Sequence, residues 1–380
     1  MKVYSLSIHA DYECRHSGAC CTAGWDIPVE LPVYRNLSEA LHAGRIQCAP
    51  TADDSPFVTD PDLPDDVVAM LARTGSGDCV FFHRRSALCL VHRDLGEPAL
   101  PSTCRHFPRI AVRDWRGTFI TLSHFCPTAA SLLFRDDVPL EIVESPPAFP
   151  PANYEGLNVY ADAWPPLLHP TMLMDLEGYS AWEHHMVRRC AEVERAPESI
   201  IATLRRDARR VRQWRPADGA QAGAVTALPC GFVDASSPLT LDESLRLYAE
   251  VIEAVPEELE PSGDEAGLDL AYVNGVRPAW AGCHAPINRF LAAKAFASWT
   301  AYQGRGVLSI VRGLEAALAL VRVEAARQCR NASRVLDLDL LREAIRSADF
   351  FLNHLAVGED LAERWSQVER QASKTAITGP

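Results

Sequence analysis

The stretch on which the fold reading turns is "CRHSGACC", Cys14–Cys21, three thiols within eight residues that end on two adjacent cysteines. Adjacent cysteines do not bridge each other without straining the peptide between them. Thiolates this close repel one another, and a cation among them removes the repulsion, so the spacing points to a metal centre. Ser17 and Gly18 suit a tight turn that aims the sulfurs inward.

A second group lies downstream. "GDCVFFHRRSALCLVHRDLGEPALPSTCRHFPR" supplies Cys79, Cys89 and Cys104, and "SHFCPTAA" supplies Cys126 followed by Pro127. A cysteine followed by proline recurs in iron–sulfur ligand runs. The candidate metal ligands are therefore Cys14, Cys20, Cys21, Cys79, Cys89, Cys104 and Cys126, more than the four that one tetrahedral zinc or one cubane cluster needs. Either two metals bind, or some of these thiols stand beside the centre or are catalytic. A zinc knuckle that only staples a weak core is the structural alternative. His16, His92, His106 and His124 each lie within three residues of a candidate cysteine. Imidazole is a ligand in mixed sites, although a histidine beside a ligand more often serves as its hydrogen-bond partner. Arg105 and Arg109, four apart in "CRHFPR", would share a face on a helical turn and could hold a carboxylate, which makes them the candidate cofactor-binding pair.

Composition narrows the setting. The 380 residues suffice for two domains, and 48% hydrophobic with 23% charged residues is a globular composition. A net charge of −13 argues against nucleic acid as a partner. The opening "MKVYSLSIHADYEC" has no apolar core of a signal peptide, and the most apolar stretch, "GVLSIVRGLEAALALVRVEAA", is broken by Arg312, Glu315 and Arg322, so neither export nor a membrane span is expected. A cytoplasmic setting keeps thiols reduced and favours metal chemistry over disulfides. Eight of the twelve cysteines, Cys48 and the seven candidate ligands, precede residue 127; the other four, Cys190, Cys230, Cys283 and Cys329, are far apart and read as small buried hydrophobes.

The expected fold class is α+β: a small cysteine-rich metal-binding domain with short strands over 1–140, a proline-rich surface connector over 141–172, and a mainly helical domain over 173–380. "WDIPVEL" predicts a brief strand before a helix that starts near Pro32, "PDDVVAMLART" has helical spacing, and "RIAVRDWRGTFITLSH" predicts two strands around a turn. Five later stretches, from "SAWEHHMVRRCAEVE" to "LDLLREAIRSADFFLNHLA", carry apolar stripes at helical spacing. "WEHH", Trp182–His185, reads as an amphipathic helix with an exposed histidine pair.

The order and spacing of these segments resemble a cysteine-cluster family of zinc- or iron-chelating proteins, above all its branch of flagellin lysine N-methylases. The matched positions are Cys14, Cys20, Cys21 and Trp25; Cys79, Phe81 and Phe82; Leu88, Cys89 and His92; Thr103, Cys104, Pro108 and Arg109; then Cys126 and Pro127. Two positions depart from the pattern: Ser17 stands where the family has its second cysteine, and Val-Phe-Phe follows Cys79 in place of Pro-Phe-Leu. The resemblance implies a [4Fe–4S] cluster and S-adenosylmethionine as cofactors, and methyl transfer to lysine side chains of a protein substrate such as flagellin. A non-catalytic module chelating a zinc or iron ion is the other expectation. No glycine-rich strand-to-helix turn of the nucleotide-cradling kind is present, so S-adenosylmethionine would bind otherwise, for instance at an open coordination position of the cluster. Lysine methylation also needs a neutral amine; Asp26, Asp94 and Glu97 are carboxylates near the cysteines, and none is assigned a catalytic role.

Overall fold

Residues 109–122 form the two strands that their β-branched and aromatic side chains predict, Arg109–Asp114 and Gly117–Leu122, with Trp115 and Arg116 at the turn. In the computed structural model, which describes residues 2–51, 55–59, 63–64, 66–234, 240–257 and 266–371, this pair is the middle of a five-stranded sheet. Its order is Leu157–Asn158, Arg109–Asp114, Gly117–Leu122, Val3–Leu6, Ile142–Glu144. Val3–Leu6 runs parallel to Gly117–Leu122, with Tyr4 opposite Phe119, and antiparallel to Ile142–Glu144. Gly117 permits that approach: its φ is +150°, and a Cβ there would lie 2.6 Å from the Lys2 carbonyl oxygen. The stretch 141–172 is thus more than a surface connector, because it supplies both outer strands and buries Phe149 completely.

Strands and helices mix as an α+β fold, but the contacts outline boundaries other than 1–140, 141–172 and 173–380. One compact unit comprises 1–12, 110–125 and 129–380, and the other comprises 13–109 and 126–128. The cysteine-rich segment is an insertion: the chain leaves after the first strand, builds 13–109, and returns to complete the sheet.

In the larger unit, helices Leu176–Cys190, Pro197–Val211, Leu241–Ile252, His284–Ala295 and Leu338–Phe350 occupy the stretches with helical spacing. Leu176–Cys190 packs on His284–Ala295, and the other four gather on the largely apolar Val307–Ala332. The charges that interrupt it are paired inside: Arg322 bonds Glu198 and the Ser244 hydroxyl, and Glu315 meets Arg205 and Arg312. Among the described residues, no helix is long and apolar enough to cross a membrane. Two readings need correction. "WEHH" does not expose a histidine pair: His184 is exposed, whereas Trp182, Glu183 and His185 are buried, His185 against Asp207 at 2.9 Å. Cys190, Cys283 and Cys329 are buried, but Cys230 is exposed.

In the smaller unit, strands Pro28–Glu30, Val67–Leu71 and Phe57–Val58 form an antiparallel sheet with Val67–Leu71 in the centre. The helical expectation for 64–74 is therefore overturned. Val67 and Val68 are β-branched, and pairing on both sides supplies the backbone bonds a helix would have made. Helix Leu31–His42 follows its strand directly, with Pro32 in its first turn as expected. Ile27, Val29, Leu37, Val80, Phe81 and Val91 make a short core, which Cys21 and Cys79 join.

Candidate metal centre

Short local elements place five sulfurs of the smaller unit. Gly18 adopts φ +75° and opens the single helical turn Ala19–Thr22, so that Cys20 and Cys21 project from consecutive positions. The Phe82 ring lies over Gly18 so closely that a Cβ would sit 2.6 Å from it. The Cys79 amide donates to the Cys21 carbonyl oxygen at 2.7 Å, and Phe82 and Cys89 are opposite partners in the hairpin Phe82–His83/Leu88–Cys89. Cys89 is extended and precedes helix Leu90–Leu95, where the amides of Val91 and His92 reach its sulfur. Cys104 sits on the short helix Ser102–His106.

The structure brings Cys20, Cys21, Cys79, Cys89 and Cys104 into one neighbourhood. The Sγ atoms of Cys20 and Cys21 are 3.9 Å apart, and Cys21 also hydrogen-bonds Cys89. Hydrogen bonding with Cys21 holds the Cys89 thiol down to about 7 against its burial, helped by the amides of His92 and Val91. Cys21 likewise lowers Cys20. Cys21 itself is raised far above the thiol range by its bonds to Cys20 and Cys89 and by burial, so it keeps its proton between two sulfurs. Burial pushes Cys79 up to about 11. Burial, then the charges of Cys79, Cys20, Cys89 and Glu30, raise Cys104 well above its ordinary value. Five neighbouring thiols, of which Cys21, Cys79 and Cys104 are raised by burial and by the charge of the others while Cys20 and Cys89 are lowered, are a donor set that suits a soft cation.

Among the described residues, no three His, Cys, Asp or Glu side chains already stand as a finished metal site. The chemistry of the donors nevertheless fits one. Backbone amides are aimed at the sulfurs, and the Cys20–Cys21 separation is close to the edge of about 3.8 Å that metal–sulfur bonds of about 2.3 Å give a tetrahedron. Among the described residues, no disulfide consumes any of the twelve cysteines.

The other expected residues fall as follows. Cys14 is exposed, and Cys126 is buried where the chain briefly rejoins the smaller unit. The His16 and His92 rings meet at 4.9 Å, and the His92 backbone amide reaches the Cys89 sulfur. Of the pair Arg105 and Arg109, one Nη of Arg109 donates to the Arg105 carbonyl at 2.8 Å and closes the Cys104 helix. Trp25 packs on Phe107 at 5.2 Å. Asp94 is paired with Arg93, while Asp26 and Glu97 are exposed.

Sequence reasoning misses two features. Glu30 reaches this site from the strand end, and nothing in "DIPVEL" sets it apart from a surface glutamate. The larger unit also buries a polar cluster. Ser123 Oγ donates to Asp349 at 2.8 Å and lies 2.7 Å from His354 Nε2; Lys294 pairs with Asp349, and His124 Nε2 lies 3.2 Å from His9 Nε2. His124, two residues from Cys126, thus turns into the larger unit rather than serving a sulfur site.

No family model, curated protein or solved structure matches the chain.

Proposed function

We propose that residues 13–109 hold a metal through the thiols of Cys20, Cys21, Cys79, Cys89 and Cys104, with Cys14 and Cys126 as further donors. The observation that carries this reading is the mutual influence of five sulfurs drawn from four separate turns, in a neighbourhood where Glu30 and Asp94 add negative charge. A bound cation offsets that repulsion, and the gain in binding stabilises a short core.

On the sequence resemblance, the chain is proposed to be an S-adenosylmethionine-dependent protein lysine N-methyltransferase with a [4Fe–4S] cluster, acting on a flagellin-like protein substrate in the cytoplasm. Such a cluster, when bound, supplies redox-active iron and an exchangeable coordination position. The transfer itself breaks the sulfonium–methyl bond as the lysine nitrogen forms its own, releasing S-adenosylhomocysteine and a proton. Arg105 is the residue of the expected cofactor pair whose guanidinium stays in contention for a carboxylate, since Arg109 is engaged by the helix end.

A second reading is a non-catalytic zinc- or iron-chelating module. The 3.9 Å between the Cys20 and Cys21 sulfurs favours it, because thiolates on separate corners of a cubane stand much farther apart than the two ends of one tetrahedral edge. Anaerobic purification separates the readings. Iron with acid-labile sulfide, a brown colour, S-adenosylmethionine binding and methyl transfer to lysine are expected of the enzyme. A colourless protein with one tight zinc and no affinity for that cofactor supports the module. Absence of any metal after anaerobic reconstitution removes both.

A further inference from the structure

Glu30 closes the strand Pro28–Glu30 at a place where the pairing register shifts between Val29 and Glu30, a device that re-aims a side chain. Its Oε1 accepts the Ser102 amide at 3.0 Å, which fixes the start of the Cys104 helix, and that helix packs against the strand. Its Oε2 is buried and has no hydrogen-bond partner among the described residues. An unsatisfied carboxylate oxygen in such a place costs about 1–3 kcal/mol or more, and nothing in the helix anchor requires that cost. The amide that Glu30 accepts belongs to Ser102, two positions before Cys104 on the same short helix. A backbone bond on one oxygen and an orphaned, buried second oxygen, on a carboxylate tied to the first residue of the Cys104 helix, is the arrangement of a ligating carboxylate steadied from behind.

Resting on the metal-centre reading above, we propose that Glu30 Oε2 is an oxygen ligand of the metal, the single hard donor in a set of sulfurs. Among soft thiolates the carboxylate is the donor most readily displaced. Its position is therefore the one that a substrate or cofactor oxygen or nitrogen would take, while the Oε1 bond to Ser102 keeps the side chain in reach to return.

Glu30→Gln tests this. The amide oxygen retains the bond from Ser102 and nearly the same volume, but the group that replaces Oε2 is a donor and cannot ligate. With anaerobically loaded protein, metal release to a chelator is expected to be at least about tenfold faster than wild type, and the visible spectrum of the cobalt-substituted form is expected to shift while its sulfur-to-cobalt band persists. Unchanged release and spectrum would overturn the assignment of Glu30 alone. X-ray absorption on the metal-loaded wild type needs no variant to fold. An oxygen shell at about 2.0–2.2 Å beside sulfur at about 2.3 Å is expected, and a sulfur-only shell overturns the proposal. A wild-type chain that takes up neither iron nor zinc overturns the metal reading and Glu30 with it.

Discussion

The Cys21 carbonyl oxygen accepts the Cys79 amide at 2.7 Å, so one backbone bond ties the adjacent-cysteine turn to the start of the hairpin that ends on Cys89. Sulfurs nearly seventy positions apart in the chain are thereby held by main chain, independent of any bridge between them. Substituting one sulfur should then leave the turns in place while removing a donor.

Replacing Cys20, Cys89 or Cys104 with serine is expected to lower bound metal and to destabilise residues 13–109, since metal-binding energy there is also folding energy. Cys190→Ser and Cys329→Ser, buried in the larger unit, are expected to leave metal content unchanged. Metal-to-protein ratios after anaerobic purification check both sets. Equal losses in the two sets would show that the ligands lie elsewhere.

Gly18 is the hinge of the first turn. Alanine there meets a left-handed φ of +75° and the Phe82 ring at 2.6 Å. Strain of about 1–2 kcal/mol from the backbone and a further about 1–3 kcal/mol from displacing a packed ring are expected to weaken the smaller unit and quicken metal release. Adding Phe82→Leu should restore the steric part and leave the backbone part. A Gly18→Ala protein with wild-type denaturation and wild-type metal release would falsify this account of the turn.

Sulfur spacing is legible in sequence because a tight turn and its thiols are contiguous. Gly18 takes the turn conformation that its neighbours suggest. What spacing hides is pairing across the chain. Val67–Leu71 has helical periodicity but is claimed by strands on both sides. The prolines of 141–172 suggest a loop, yet the residues between them, Ile142–Glu144 and Leu157–Asn158, edge the sheet. Val3–Leu6 belongs with residues more than a hundred positions away, so an inserted cysteine-rich body reads in sequence as an N-terminal one. Glu30 and the Ser123–Asp349–His354 cluster are invisible for the same reason: their partners are set by the fold.

The histidines of that cluster set an acid limit. Burial lowers His354 to about 4, with Asp349 opposing, and lowers His9 well below its ordinary value, helped by His124 and Lys294. The unfolded imidazole protonates near 6.5. Below that pH the unfolded chain binds more protons than the folded one, so stability falls as pH falls, by about 1.4 kcal/mol per pH unit for each such histidine, until His354 itself protonates near 4. Glu369, which burial raises to about 6, works in the opposite sense, so the comparison that isolates the effect is wild type against His354→Gln. Urea denaturation between pH 7 and pH 4.5 is expected to show a shallower decline in the variant. Parallel curves would rule out His354 as a source of the acid sensitivity.

Arg116, carried at the turn of the central hairpin, lies between Asp114 at 2.8 Å and Glu183 at 2.9 Å, both carboxylates fully buried, with its guanidinium over the Phe119 ring at 4.1 Å. Glu183 also accepts the Ala297 amide at 3.1 Å, and the Tyr302 hydroxyl donates to Asp114. Each carboxylate is anchored by a further partner, so neither can swing away when the cation is removed. Arg116→Ala then leaves two fixed negative charges in a low-dielectric interior and is expected to cost about 3–5 kcal/mol. Arg116→Lys keeps the charge but cannot span both carboxylates with one planar group, and should recover only part. Removing the charges together, in Arg116→Met with Asp114→Asn and Glu183→Gln, should recover most of the loss, because the cost lies in the unpaired ions. Denaturant unfolding followed by circular dichroism measures all three. An Arg116→Ala protein within about 1 kcal/mol of wild type would mean that these carboxylates are relieved by solvent or by taking up a proton, and that the ion pairs contribute little.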